Sequence, residues 1–205
     1  MSTLNNIKFH YFAFPGRGEF VQILLDDAGL DYEKVVIRLR DWYSKKAELI
    51  AQGVPAPTLP YLTIDGKYVG KTVPTMRYLS KQLGKYIGDN DVENQYLDML
   101  SDICMEWYNA WAYPHYIIKT EEAETKYQNT VGIMYHDTFE NVLAKTGGPY
   151  VLGDRISYVD FIIYHSLVED TLRQNINKSN KYPHLKKLID AIESRPSLKK
   201  HLSKL

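Results

Sequence analysis

The fold of the first part of this chain is decided by the stretch YLTIDGKYV, residues 61–69. Four residues of strand character precede Asp65-Gly66, and a second strand-like run follows it directly. Asp-Gly supplies the backbone conformation that a two-residue turn requires, so the pattern is typical of a β-hairpin. The stretch therefore predicts two antiparallel strands near the end of the first domain.

Upstream of the hairpin, strand-like and helix-like segments alternate. Pro15-Gly16 and Gly29 separate them, and Gly29 stands where a helix would end. The predicted strands cover residues 7–12 and 35–39, and the predicted helices cover residues 19–28, 44–52 and 73–83. The resulting order, β-α-β-α-β-β-α, predicts an α/β domain over residues 1–84.

After a polar stretch, residues 85–91, which we interpret as a linker, the strand signals disappear. Helical periodicity predicts two long helices over residues 92–118 and 121–144, the first interrupted near Pro114. A Ser followed three residues later by an acid, as in Ser157 and Asp160, is typical of a capped helix start. Residues 92–205 are therefore predicted to form an all-α domain.

Composition excludes several classes of function. The chain has 25 basic and 25 acidic residues, so no net charge attracts nucleic acid or an anionic membrane. A single cysteine, Cys104, excludes a disulfide framework or a cysteine-based zinc site within one chain, and the six histidines show no metal-ligand spacing. We expect no metal site and no membrane span.

The expected location is the cytoplasm, because residues 1–8 lack the pattern of a secretory signal. Ser203-Lys204-Leu205 matches the peroxisomal address, which makes import into peroxisomes the alternative. A lysine-rich terminal helix can also end in these three residues by chance.

Four motifs occur in order along nearly the whole chain. They are His10-Tyr11-Phe12 with Gly16-Arg17-Gly18-Glu19, Asp41-Trp42 with Lys46, Leu59-Pro60-Tyr61-Leu62 before Asp65-Gly66, and the run from Gly153 to Asp160. Together they resemble the cytosolic glutathione transferase family, most closely its sigma class, which uses a tyrosine. The resemblance implies a thioredoxin-like first domain and a helical second domain that contributes the electrophile pocket. It also implies a homodimeric detoxification enzyme with glutathione as co-substrate and no permanently bound cofactor.

The resemblance also implies roles for individual residues. Tyr11 would be the catalytic residue, donating a hydrogen bond to the glutathione sulfur, and Arg17 would tune the field near the thiolate. The implied glutathione-binding residues are Tyr11, Phe12, Arg17, Trp42, Lys46, Leu59, Pro60, Lys71, Thr72 and, reaching the partner subunit, Glu106. The implied electrophile pocket consists of Phe12, Phe14, Trp107, Tyr108, Trp111 and Tyr116.

Two of these assignments have a reason in the local sequence. Thr72 precedes Val73-Pro74 and is a natural helix N-cap, and the free N–H groups of a helix start bind carboxylates well. Leu59-Pro60 resembles the cis-proline turn of the family, although an ordinary trans turn fits this proline-rich loop as well. The family usually has Gln or Glu where this chain has Lys71, and a lysine cannot accept a hydrogen bond from the ammonium group of glutathione.

The remaining alternatives are structural roles for the same residues. Tyr11 could be a structural residue of the strand, and Arg17 could form a salt bridge with Glu19. Trp42 could be a core residue, and Lys46 could be a solvated charge. Asp102, one helical turn before Glu106, is the alternative residue for the contact with the glutathione of the partner subunit. The aromatic residues near Pro114 fit a role in the hydrophobic core equally well. At the level of function, the alternatives are a glutathione-dependent isomerase or peroxidase, and a non-catalytic carrier or lens-type protein.

Overall fold

The computed structural model describes residues 4–170 and 180–203, which form two compact units. The first unit comprises residues 4–85 with residues 200–203, and the second comprises residues 86–170 and 180–199. The end of the described chain thus groups with the first unit instead of the helical domain to which the sequence assigned it. The physical reason is His201, which is 3% exposed and hydrogen-bonds Asp26 at 2.7 Å.

The first unit contains a four-stranded sheet with the strand order β2-β1-β3-β4. β1 pairs with β2 in parallel and with β3 antiparallel, and β3 and β4 form an antiparallel hairpin. The elements are β1 (Ile7–Tyr11), α1 (Arg17–Asp27), β2 (Tyr32–Val36), α2 (Trp42–Ala51), β3 (Tyr61–Ile64), β4 (Lys67–Gly70) and α3 (Thr72–Leu83). This order confirms the predicted β-α-β-α-β-β-α succession. The helix α1 provides the crossover connection that the parallel pair of β1 and β2 requires.

The predicted turn forms at Asp65 and Gly66. Both residues have positive φ, 49° and 78°, as a tight hairpin turn between right-twisted strands requires. Gly29 and Gly84 likewise follow the ends of α1 and α3 with φ values of 66° and 62°. The turn chemistry read from the sequence is therefore confirmed at all three places.

The second strand lies three residues earlier than predicted. Its bounds are Tyr32–Val36, whereas the apolar pattern placed it at residues 35–39. β1 ends at Tyr11, whose carbonyl accepts from the N–H of Ile37 at 2.8 Å, so the pairing partner ends there. Leu39 is 68% exposed and begins a short 3-10 turn.

The core of the first unit lies between the sheet and its helices. Phe9 of β1 is 1% exposed, and Ile23 and Leu24 of α1 are fully buried. Met76 and Leu79 of α3 are fully buried as well. This packing fixes the end of β1 and the start of α1, where the candidate site residues lie.

The second unit is helical throughout its named elements. They are α4 (Asp91–Ala112), α5 (Glu121–Lys126), α6 (Gly132–Ala144), α7 (Tyr158–Glu169) and α8 (Pro183–Glu193). A four-residue helix, α9 (Lys199–Leu202), follows, and all of it except Lys199 belongs to the first unit. Residues Tyr113–Ile118 and Tyr127–Val131 are π-helical. The two predicted long helices are thus present, each containing a π-helical segment, and Pro114, which has no N–H, lies in the first.

Ser157 and Asp160 form the predicted capping box at the start of α7. The backbone N–H and the hydroxyl of Ser157 each donate to Asp160 at 2.7 Å, and Val151 N–H donates to the other carboxylate oxygen at 2.8 Å. Complete burial raises the pKa of Asp160 to about 6 even though these hydrogen bonds act in the opposite direction. The motif therefore joins the preceding loop to the buried helix.

The stretch interpreted as a linker is largely built into the second unit. The carbonyl of Tyr86 accepts from the N–H of Tyr158 at 2.9 Å, and the side chain of Tyr86 is 7% exposed. Asn90 caps α4 by accepting from the N–H of Glu93 at 3.0 Å. These contacts give residues 86–90 a defined structure that their polar composition did not indicate.

Candidate functional site

Three sequence-predicted sites meet at one end of the sheet of the first unit. In the strand register, His10 is opposite Tyr61, and Tyr61 is opposite Gly70. Tyr11 follows His10, so it lies beside Pro60, which precedes Tyr61. Pro60 in turn lies beside Lys71, which follows Gly70. Tyr11 thus lies on the same sheet end as the Leu59-Pro60 and Lys71-Thr72 segments.

Tyr11 is the last residue of β1 and is 8% exposed. Its ring rests directly against the first turn of α1, at Gly18. A Cβ atom placed on Gly18 would lie 2.5 Å from Cγ and 2.7 Å from Cε1 of Tyr11, far inside van der Waals contact. Only glycine leaves room for this approach of the ring to the helix.

The Tyr11 hydroxyl stays protonated at neutral pH. Burial raises its pKa, while hydrogen bonds from the backbone N–H of Gly18 and of Arg17, together with the Arg17 charge, act in the opposite direction. The group is therefore a phenol that accepts from helix amides and has its own proton to donate. Such a phenol is a polarised hydrogen-bond donor, and it is not a base.

Aromatic residues surround Tyr11 on the loop to α1. Phe12 and Phe14 stack with ring centroids 5.0 Å apart, and the Tyr11 ring lies 5.5 Å from Phe12 and 6.3 Å from Phe14. Phe14 is 53% exposed. The loop therefore offers an accessible apolar surface beside the polarised hydroxyl.

Trp42 and Lys46 lie one helical turn apart on α2, because this helix begins at Trp42 and not at residue 44. Both side chains are half-buried. β2, which precedes α2, ends at Val36 opposite Tyr11, so α2 starts from the same end of the sheet. The pair has the spacing that its predicted role requires.

The Leu59–Pro60 peptide bond is cis, as expected. Tyr68, which the sequence analysis missed, holds the loop before it. The Tyr68 hydroxyl accepts from the N–H of Thr58 and donates to its carbonyl, both at 3.4 Å. Tyr68 also stacks on Tyr61 with ring centroids 4.9 Å apart, and an aromatic pair across a predicted hairpin was the available signal.

The predicted N-cap of α3 was wrong by one residue. Thr72 is the first residue of the helix, and Lys71 is the N-cap, with φ 71° and ψ 132°. The helix begins there because the N–H of Thr75 bonds the carbonyl of Lys71 at 2.9 Å. In the described part of the chain no side chain caps this end, so the N–H groups of Thr72 and Val73 are left for a ligand.

Trp107 lies in the core of the second unit, which corrects its assignment to an electrophile pocket. The indole is fully buried and donates to the hydroxyl of Tyr127 at 2.9 Å. Tyr127 in turn donates to Asp170 at 2.6 Å. A side chain enclosed in this network does not meet a ligand that arrives from solvent.

The other candidate residues of the second unit differ in exposure. Tyr108 and Trp111 are each 5% exposed, and their rings lie 5.4 Å apart. Tyr116 is 55% exposed and meets Trp111 edge to face. Glu106 and its rival Asp102 are both exposed on α4.

A pocket that the sequence analysis missed adjoins Tyr11. Tyr11, Phe14, Glu19, Gln22, Lys34 and His201 are among its lining residues. His201 was missed because its partner Asp26 is 175 positions away in sequence. The available signal was the seven-residue spacing of Glu19 and Asp26, which places two carboxylates on one face of α1.

Residues 4–170 and 180–203 contain no cluster of three or more His, Cys, Asp or Glu side chains suited to a metal ion. Within the same ranges, every helix is too short or too polar to cross a bilayer. Lys204 and Leu205 of the peroxisomal pattern lie outside the described residues.

Comparison with known proteins gives consistent matches along the chain. The family model of the glutathione S-transferase C-terminal domain matches residues 101–205, and that of the N-terminal domain matches residues 7–81. Glutathione S-transferase P 10 of Caenorhabditis elegans is 28% identical over 202 residues, which cover 96% of this chain and 90% of the relative.

Two solved structures share the fold. The Pi-class glutathione S-transferase of Onchocerca volvulus has a TM-score of 0.84 at 24% identity, covering 97% of this chain and 93% of the other. Prostaglandin synthase D of Nilaparvata lugens has a TM-score of 0.81 at 24% identity, covering 97% and 98%. Because the C-terminal family model alone spans half of the sequence and the N-terminal model covers most of the rest, this chain belongs to the glutathione S-transferase family.

Proposed function

We propose that this member of the family activates the thiol of glutathione with Tyr11 and transfers it to small hydrophobic electrophiles. Glutathione is the co-substrate, and no permanently bound cofactor takes part. The observation that carries the proposal is the Tyr11 hydroxyl, a buried phenol that accepts from two amides of the first turn of α1 and keeps its proton.

The chemical problem is the ionisation of the thiol. A free thiol has a pKa of about 8.5, and only the thiolate is a good nucleophile. Lowering this pKa by about two units requires about 2.7 kcal/mol of preferential stabilisation of the thiolate.

Tyr11 and its surroundings can supply energy of this size. A hydrogen bond from the phenol to a charged sulfur contributes about 1.5–3 kcal/mol. The N–H groups of Gly18 and Arg17 polarise the phenol, and the Arg17 cation favours negative charge nearby. The thiol proton leaves to solvent, the thiolate forms a C–S bond with the electrophilic carbon, and the leaving group departs with its bonding electrons.

The same end of the sheet offers groups for the rest of the glutathione molecule. We assign the γ-glutamyl carboxylate to the N–H groups of Thr72 and Val73, next to Lys71. The backbone of Leu59, before Pro60, would pair with the cysteinyl residue. Trp42 and Lys46 would hold the glycyl carboxylate.

The second substrate needs an apolar wall near the sulfur. Phe12 and Phe14, which pack around Tyr11, are the best-supported residues for this wall. Tyr108, Trp111 and Tyr116 of the second unit remain predicted contributors.

We also propose a homodimer in which Glu106 reaches the glutathione of the partner subunit. Sedimentation of the purified protein tests the dimer. Glu106→Gln should weaken glutathione binding by about tenfold, as loss of one charge-assisted contact does, whereas Asp102→Asn should not. The reverse pattern would transfer the role to Asp102, and a monomer that binds glutathione at full affinity would contradict both proposals.

The proposed location is the cytoplasm, with peroxisomal import as the alternative. Imaging a fluorescent fusion with a free C-terminal Ser203-Lys204-Leu205, beside the same fusion lacking this tripeptide, decides between them. Diffuse signal in both fusions supports the cytoplasm, and punctate signal lost on deletion supports import.

The proposed function is tested by glutathione conjugation to 1-chloro-2,4-dinitrobenzene. Tyr11→Phe should lose about 100-fold in rate, the equivalent of about 2.7 kcal/mol, while still binding glutathione. The matched control is Tyr43→Phe, because Tyr43 is 83% exposed on α2 and should not affect the rate. Full activity in Tyr11→Phe would contradict the role of Tyr11.

An inactive wild-type protein would have a different interpretation from an inactive Tyr11 variant. A wild type that binds glutathione but turns over neither several electrophiles nor a lipid hydroperoxide would be a non-catalytic carrier. Lys71 would then be the first residue to examine, because it is the departure from the family pattern.

A further inference from the structure

His201 is a buried histidine held between two acidic side chains of α1. Its Nδ1 lies 2.7 Å from Oδ2 of Asp26, and its Nε2 lies 3.1 Å from Oε1 of Glu19. The imidazole is 2% exposed and the two carboxylates are 22% and 13% exposed. Carboxylates only accept hydrogen bonds, so both ring nitrogens must be protonated for both contacts to be favourable.

The surroundings of His201 favour its charged form. Burial alone would lower its pKa, but the hydrogen bond to Asp26 and the negative charges of Asp26 and Glu19 outweigh it and raise the pKa to about 9. The Glu19 contact is an ion pair without hydrogen-bond geometry. Asp26 is fixed from its other side by the hydroxyl of Tyr32 at 2.8 Å, and Lys34 of the same strand bonds Gln22 at 3.0 Å. His201 is therefore an imidazolium at neutral pH, in a defined position.

Glu19 links this imidazolium to Tyr11. It lies in the first turn of α1, next to the amides that hold the Tyr11 hydroxyl. Its carboxylate opposes negative charge at Tyr11, since it acts to raise the pKa of that residue. Tyr11, Glu19 and His201 also line one pocket, so the three groups share the same local field.

We infer that His201 is a positioning residue for the reaction, whose imidazolium holds the Glu19 carboxylate and masks its charge beside Tyr11. The inference rests on the proposed function, because it concerns negative charge on a thiolate at Tyr11. With Glu19 masked, the field at the sulfur is dominated by the α1 amides and Arg17. Without His201, a bare carboxylate would work against thiolate formation.

The test is the pKa of the thiol of bound glutathione, measured by ultraviolet titration of the thiolate. His201→Gln should raise this pKa by about one pH unit, the order of magnitude expected for one unmasked charge near the thiol in an effective dielectric of about 20. Glu19→Gln in the His201→Gln background should restore the wild-type value. A purely structural role predicts no such restoration, since the double variant has lost both partners.

Asp26→Asn is the matched control. It removes the shorter contact to His201 but leaves Glu19 masked, so stability should fall while the thiol pKa stays unchanged. If His201→Gln does not fold, Glu19→Gln alone still decides, because it removes the negative charge beside Tyr11 while His201 stays paired with Asp26, and it should therefore lower the thiol pKa. Equal thiol pKa values in wild type and His201→Gln, or a raised value in Glu19→Gln, would overturn the inference. A wild type with no bound thiolate would instead overturn the proposed function.

Discussion

Replacement of Gly18 by alanine is the perturbation whose effect the structure specifies most closely. The added Cβ would lie 2.5 Å from Cγ and 2.7 Å from Cε1 of Tyr11. Ordinary contacts between carbon atoms are about 3.5–4.0 Å, so the ring has to retreat by about 1 Å. The retreat separates the hydroxyl from the amides of Gly18 and Arg17 that polarise it.

A displacement of about 1 Å at a reacting group can cost about 100-fold in rate. We therefore expect kcat/KM for conjugation to fall about 10- to 100-fold in Gly18→Ala, with a higher pKa for the bound thiol. Steady-state kinetics and ultraviolet titration measure the two effects. Glutathione affinity should change much less, because the peptide-binding groups lie elsewhere on the sheet end.

Gly29→Ala is the control for a general loss of stability. Gly29 follows α1, has φ 66° and has open space where a Cβ would project. Alanine there should cost about 1 kcal/mol of stability through its backbone conformation and leave the kinetics unchanged. Gly18→Ala with wild-type kcat/KM and thiol pKa would refute the reasoning about Tyr11 placement.

Three further predictions concern other residues. Because the pKa of His201 is raised from 6.5 to about 9, its contribution to stability is fully present below pH 6.5 and is lost as pH rises through 9. The free energy of unfolding of the wild type in urea should therefore exceed that of His201→Gln by up to about 3 kcal/mol at pH 6. This difference should vanish above pH 9, and a difference that does not change with pH would contradict a charged His201. Trp107→Phe should lower the free energy of unfolding by about 1–3 kcal/mol, because it removes the donor to the buried Tyr127 hydroxyl. The kinetic constants for the electrophile should stay unchanged. A selective rise in KM for the electrophile would show that Trp107 lines the electrophile pocket after all. Lys71→Gln should tighten glutathione binding by a few-fold in calorimetry, since glutamine can accept from the ligand ammonium, and weaker binding would show that the lysine itself holds the carboxylate.

Local chemistry predicted the elements of the first unit and the start of α7 in the second unit well. Asp65-Gly66 fixes a hairpin, and Gly29 and Gly84 end helices, because each depends on a conformation that few residues adopt. Ser157 and Asp160 likewise form their capping box within four residues of chain. Features of this kind can be predicted from sequence because the residues that decide them are neighbours in the chain.

The sequence-based predictions that the structure corrected share a different cause. The end of β2 depends on where β1 ends, and the start of α3 depends on the backbone at Lys71, which has positive φ although it is not glycine. Trp107 donates to Tyr127 and stacks on Phe139, which are distant in sequence, and His201 contacts a helix residue 175 positions earlier. An apolar or basic local pattern does not contain these long-range contacts, and the resemblance to the family did not supply them either.

The central claim is that the Tyr11 hydroxyl stabilises the glutathione thiolate, and the pKa of the bound thiol tests it most directly. Ultraviolet titration of bound glutathione should give a pKa near 6.5 in the wild type, about two units below the free value, and a value close to the free thiol in Tyr11→Phe. Equal pKa values in the two proteins would contradict the account and assign thiolate stabilisation to another group.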